Sequence, residues 1–228
     1  MFPQRMFGVV VAIALGAPVN AVASDSSFTY LEGGIVAGFV NDVETSGILS
    51  GTGSPFEIES DAGGGGFIGG AWQFGEHMHL FGEYAAASQD LEISDGVRTT
   101  EGEYDMLRWR IGVGYAHPFS STTSFYGRLS FDNLEFKDAQ VAGFDLDIDT
   151  DESGLGAEVG MNWAATPTIQ LQGHARYTSV GEVVADGFDS DILLGLNGRW
   201  HFRPNVALVT GYEFGKITTW NLGVRFSL

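Results

Sequence analysis

The chain has 228 residues, with 29 acidic against 11 basic side chains, a net charge of −18, 33 glycines, 13% aromatic residues and no cysteine. That charge balance excludes a nucleic-acid binder, whose partner requires a basic surface. The missing cysteine excludes a disulfide framework and a lipidated cysteine.

Taken in chain order, the first segment stands apart from the fold. Arg5 precedes a short apolar run from Phe7 to Leu15, Pro18 breaks it, and Ala21-Val22-Ala23 fits a small-residue cleavage site. The run is shorter than the roughly 20 residues of a helical span, so residues 1–23 are read as a secretory signal peptide. Residues 24–228 are then one domain.

Ten strands are predicted after that segment: Phe28–Phe39, Gly65–Phe74, His79–Ile93, Glu103–Ala116, Ser124–Phe136, Phe144–Trp163 (either continuous or broken near Ser153), Ile169–Val180, Asp191–Phe202, Val206–Phe214 and Thr218–Leu228. Eight strands is the alternative, since the first two are glycine-rich. The closing segment shows the pattern most plainly. Trp220, Leu222, Val224, Phe226 and Leu228 alternate with Asn221, Gly223, Arg225 and Ser227. A period of two is a strand with different surroundings on its two faces. Connections alternate too: Gly75–Met78, Pro118–Thr123, Ala164–Thr168 and Arg203–Asn205 are short, whereas Val40–Gly64, Ser94–Gly102, Lys137–Gly143 and Gly181–Ser190 are longer. Lipid outside, a polar lumen inside and an even strand number together describe an all-β, antiparallel, up-and-down transmembrane barrel, with short turns and both termini in the periplasm.

One face of the middle strands is apolar: Leu107, Trp109, Ile111, Val113 and Tyr115; Leu155, Ala157, Val159, Met161 and Trp163; Ile192, Leu194, Leu196, Trp200 and Phe202. The other face collects ions, namely Glu32, Glu83, Arg108, Arg110, Arg128, Asp132, Glu158, His174, Arg176, Arg199, Glu213 and Arg225. The near balance of arginines and carboxylates predicts a paired network in a largely closed lumen, because unpaired charges in a confined space are costly. Beyond the lipid the pattern inverts. Asp90, Glu92, Glu103, Asp105 and Glu135 continue the outer face. Leu91, Ile93, Tyr104, Met106, Leu134, Phe136, Leu146 and Ile148 continue the inner one and are expected to form an apolar mouth.

Candidate chemistry is sparse. Asp145, Asp147, Asp149 and Asp151 share one face and suggest a divalent-cation site, but the run lacks the glycine and glutamate positions of an EF-hand loop. A solvated acidic face is the simpler reading. Among the histidines, His77, His79, His117 and His201 lie near the short turns, apart from one another. His174 lies in the lumen without an adjacent serine, so no enzyme, cofactor or catalytic residue is expected.

The phrases Tyr30-Leu31-Glu32-Gly33-Gly34, Leu80-Phe81-Gly82-Glu83-Tyr84, Trp109-Arg110-Ile111-Gly112-Val113-Gly114-Tyr115 and Arg225-Phe226-Ser227 resemble a family of small Gram-negative outer-membrane proteins. These were once proposed to yield a secreted quorum-sensing factor. More distantly, the chain is similar to OmpA/OmpX-like and opacity-type barrels. The resemblance implies a barrel of about ten strands and carries over no catalytic residues. It also implies a terminal aromatic residue, whereas Leu228 stands last, with Phe226 on the same face. The expected role is structural, in envelope integrity or at the cell surface; the alternatives are a narrow porin or binder of small apolar molecules, and a lipid-modifying or proteolytic enzyme. Expected partners are outer-membrane lipid and lipopolysaccharide, and the barrel-assembly machinery during insertion of a monomer.

Overall fold

The computed structural model describes residues 28–40, 45–48, 55–60, 63–94, 99–141, 144–145, 150–180, 191–215 and 217–228. The signal segment expected over residues 1–23 lies outside them. Every regular element described is a strand: β1 (Tyr30–Val40), β2 (Thr45–Ile48), β3 (Pro55–Ser60), β4 (Gly63–Phe74), β5 (Met78–Ser94), β6 (Thr99–Pro118), β7 (Thr123–Val141), β8 (Phe144–Asp145), β9 (Thr150–Ala164), β10 (Ile169–Thr178), β11 (Asp191–Arg203), β12 (Val206–Phe214) and β13 (Ile217–Ser227).

All pairings are antiparallel, and the ring runs β1-β4-β5-β6-β7-β9-β10-β11-β12-β13 before returning to β1. Of the thirteen strands, β2, β3 and β8 stand outside this ring, which leaves a closed barrel of ten. Closure is made by β1 and β13, in register from Tyr30↔Ser227 to Val40↔Ile217. A ring leaves no strand edge inside the bilayer, so each ladder group finds its partner without water.

Alternation decides the two faces. Leu31, Ile35, Ile68, Trp72, Ile111, Leu129, Leu155, Val159, Leu194, Leu196 and Trp220 are large, apolar and exposed on the outside. Tyr30, Phe81, Arg128, Asp132, Glu158, Arg176 and Arg225 are buried inside. Outward aromatics lie toward both ends of the wall: near the short turns Trp200 and Phe202 pack edge to face and Tyr115 lies beside His77, and toward the other end Tyr177, Tyr212 and Phe214 are exposed. Such side chains favour a boundary where one part is apolar and another meets water.

Three sequence expectations are corrected or decided. The connections after β5 and β7 are shorter than predicted, because the hairpins continue pairing above the ring: β5–β6 stays in register to Ser94↔Thr99, and β7 bonds β8 at Val141↔Phe144. Between β1 and β4 the chain makes a further hairpin, β2–β3, whose second strand pairs with the top of β5. Finally, the strand through Ser153 is continuous. The β7–β9 register runs unshifted from Phe136↔Thr150 to Thr123↔Trp163, and Ser153 Oγ accepts a hydrogen bond from Asn133 at 3.0 Å. Register shifts fall instead between Glu103 and Asp105 in the β6–β7 pairing and between His201 and Arg203 in the β11–β12 pairing.

Candidate functional site

The lumen is built in layers by successive inward positions of the ring strands. Nearest the short turns lies an apolar layer of Phe28, Tyr30, Ala71, Phe81, Ala116 and Tyr126. His79 is buried within it, its ring stacked on Phe28 at 4.1 Å and its Nε2 accepting a hydrogen bond from Arg128 Nε at 3.1 Å. Room for these rings comes from glycines opposite: a side chain at Gly160 would meet the Tyr126 ring at 2.5 Å.

The ionic belt follows. Arg110 bonds Glu83 through Nε at 2.8 Å and Nη2 at 3.0 Å, and reaches Glu158 through Nη1 at 2.8 Å. Arg128 lies 3.5 Å from Glu158 and 3.9 Å from Glu83, with its guanidinium 4.6 Å above the Phe81 ring. On the other wall Arg225 donates to Glu32 at 2.7 Å and covers the Tyr30 ring at 3.5 Å. Higher up, Glu213 accepts from Arg176 at 3.2 Å and lies 3.4 Å from Arg108 and 3.2 Å from His174. Asp132 accepts from Ser130 at 2.6 Å and Thr178 at 2.8 Å, with Arg176 at 3.8 Å. Arg199 donates to Gln172, which in turn bonds the Tyr126 hydroxyl. Buried charges satisfied by several partners each hold their side chains in single positions.

Above the belt, Met106, Leu134, Phe136 and Val180 form a second apolar cluster, with Tyr104 and Ile217 packed against it. Val180 and Ile217 come from strand ends that the inversion argument did not reach. The side chains of Leu91 and Ile93, and residues Leu146 and Ile148 altogether, lie outside the described set. So do Asp147, Asp149 and the side chain of Asp145, whereas Asp151 is exposed and accepts a hydrogen bond from Asn133 at 2.5 Å. Among the described residues, no group of three or more His, Cys, Asp or Glu is placed to hold a metal ion.

Sequence reasoning missed the lower aromatic layer, although Tyr30, Phe81 and Tyr126 share inward parity with Glu32, Glu83 and Arg128. It also missed Gln89, fully buried beside Met106 with neither amide atom partnered among the described residues. The histidines near the turns are not all apart: adjacent strands bring the rings of His77 and His117 to 5.7 Å. Thr178, on the same face as His174, donates to Asp132.

Among the described residues, a pair of cavities in the lumen stands out. One, of about 120 Å³, lies within the ionic belt; the other, about 380 Å³, lies at the short-turn end among Phe28, Gln73, Ser124, Asn162 and His201. Tyr30, Arg199 and Arg225 line both.

The family described as outer membrane protein beta-barrel domain matches residues 7–227. Among solved structures, the outer membrane protein OprG from Pseudomonas aeruginosa is 13% identical, with 87% of this chain and 94% of that chain covered and a TM-score of 0.52. The translocator domain of the autotransporter NalP from Neisseria meningitidis is 12% identical over 91% of each chain, with a TM-score of 0.49. Neisserial surface protein A is 14% identical over 89% of this chain and 98% of that one, with a TM-score of 0.41. At such identities the likeness to OprG concerns the fold alone. No curated protein matches the chain in sequence.

Proposed function

The chain belongs to the outer membrane protein beta-barrel domain family, and within that family we propose that it is a non-conducting barrel with a structural or surface role. The observation supporting this reading is the layered lumen: an arginine–carboxylate belt held between two apolar clusters, with a cavity of only about 120 Å³ inside it. Small barrels are commonly filled by their own side chains. Residues 1–23 direct export, the short-turn end faces the periplasm, and the outward apolar band meets lipid and lipopolysaccharide. The barrel is inserted by the assembly machinery as a monomer. The reading assigns it no enzymatic role: His174 is engaged by Glu213 and Asn197, with no serine or threonine hydroxyl bonded to it among the described residues.

Planar-bilayer recording tests the closed lumen. The expected trace is flat, with current emerging only when the belt is opened, as in Arg110→Ala combined with Arg128→Ala. A steady single-channel current through the native barrel refutes it. The long-loop cluster supports a second reading, a cup for small apolar molecules, because Met106, Leu134, Phe136 and Val180 gather there inside the wall with Tyr104 and Ile217 packed against them. Saturable uptake of an apolar fluorophore, lost in Leu134→Asp, would favour it.

A further inference from the structure

We propose that the cavity at the short-turn end is a binding site for a small monocarboxylate, anchored by Arg199. Five lumen arginines, Arg108, Arg110, Arg128, Arg176 and Arg225, each have a carboxylate oxygen within 4.0 Å. Arg199 has none among the described residues; its hydrogen bond goes to the neutral amide of Gln172. A guanidinium enclosed in protein without a counter-charge needs water or an anion. Arg199 borders the cavity where either has room.

An independent observation points to the same place. Ser124 Oγ, Asn162 Oδ1 and His201 Nε2 are buried without hydrogen-bond partners, on residues 5%, 7% and 9% exposed. They are three of the six such atoms among the described residues, and all three residues line this cavity. Buried polar groups are normally satisfied, so a cluster of orphans around one space signals a missing partner there. Ser124 and Asn162 are register partners across β7 and β9, and Arg199 and His201 are successive inward positions of β11. They form one polar arc of the wall. The Asn162 amide can present either oxygen or nitrogen, and His201 Nε2 and the Ser124 hydroxyl can each donate. In the ring order β9 lies opposite β1, so this arc faces Tyr30 and Phe28 just before it.

The chemistry selects a monoanion with two oxygens. One guanidinium fork matches one carboxylate, and neutral donors satisfy its remaining lone pairs. Arg225 is already neutralised by Glu32, and Glu76 borders the cavity, so a dianion is disfavoured. The aromatic wall accommodates an apolar part beside the carboxylate. This site lies below the ionic belt and does not depend on whether the lumen conducts.

Fluorine NMR of trifluoroacetate, titrated into the folded barrel in detergent micelles with empty micelles as blank, tests the proposal. Saturable broadening is expected, displaced by acetate but not by acetamide. Arg199→Gln should weaken it about tenfold or more, the scale of one charge-assisted contact. Ser124→Ala and Asn162→Ala should weaken it severalfold, and Lys137→Gln at the far end should leave it unchanged. Signal no different from empty micelles overturns the site. Unaltered binding in a folded Arg199→Gln barrel does the same. If Arg199→Gln fails to fold, unaltered affinity in both Ser124→Ala and Asn162→Ala decides against it. Displacement by inorganic phosphate as effective as by acetate overturns the carboxylate assignment.

Discussion

Replacing Arg110 by methionine removes the centre of the ionic belt while keeping much of the side chain's length. Arg110 is 11% exposed and Glu158 only 3%, so the carboxylate left behind has little access to water. Three hydrogen bonds at 2.8–3.0 Å disappear, and of its arginine partners Glu158 keeps Arg128 at 3.5 Å. Breaking a buried pair on one side costs about 3–5 kcal/mol, because the survivor's desolvation is no longer offset. The exposed pair Lys137–Glu135, 40% and 26% exposed, provides the contrast: Lys137→Met should cost about 1 kcal/mol or less. Reversible urea unfolding in phospholipid vesicles, followed by tryptophan emission, measures both. The double variant Arg110→Met/Glu158→Leu sharpens the test. It leaves Arg128 and Glu83 as a one-to-one pair, 3.9 Å apart, and should recover at least half of the single variant's loss. A cost under about 1 kcal/mol for Arg110→Met, or a double variant less stable than the single one, would refute the belt as a stabilising network.

Other outcomes follow from the layers. Leu196 is 72% exposed on the outer face, and Leu196→Arg should lower stability in vesicles by about 2–4 kcal/mol if that site lies near the midplane; unchanged unfolding curves would overturn the face assignment. Gln89→Met replaces an unpartnered buried amide with an apolar chain of similar length and should raise stability by about 1–2 kcal/mol in the same assay, a loss counting against the environment described. Leu134→Asp combined with Phe136→Asp should leave insertion yield unchanged yet admit protease or small dyes to the long-loop mouth; failed insertion would mean that these side chains support the membrane span itself.

The strands, their faces and the antiparallel up-and-down order were legible because lipid and lumen impose opposite demands on alternate residues. That signal is local, and each segment carries it independently. What lay beyond it depends on three-dimensional curvature. Parity puts Arg110 and Glu158 inside, but only the curvature of the barrel wall brings them together with β7 between their strands. The β2–β3 hairpin was hidden because pairing above the ring relaxes the constraint of a lipid face. Ser153 was ambiguous for a related reason. Its run of acidic and small residues resembles a strand interruption, whereas a hydrogen bond from Asn133 on the neighbouring strand keeps it regular. His79 was placed near a short turn by sequence, but its stacking on Phe28 inside the wall rests on a contact between distant segments that the local pattern does not carry.

The seam between β1 and β13 has a temporal side. Its ion pair, Glu32 with Arg225, joins residues 193 positions apart, and its ladder links the first ring strand to the last. Every other neighbour in the ring is joined by a far shorter stretch of chain, so hairpins can pair as they emerge, while the seam waits for the whole. Closing so long a loop is slow, and until it happens two unpaired edges are open to any passing strand. The interval before that last zipper closes is therefore when unpaired edges leave the chain most open to misassembly.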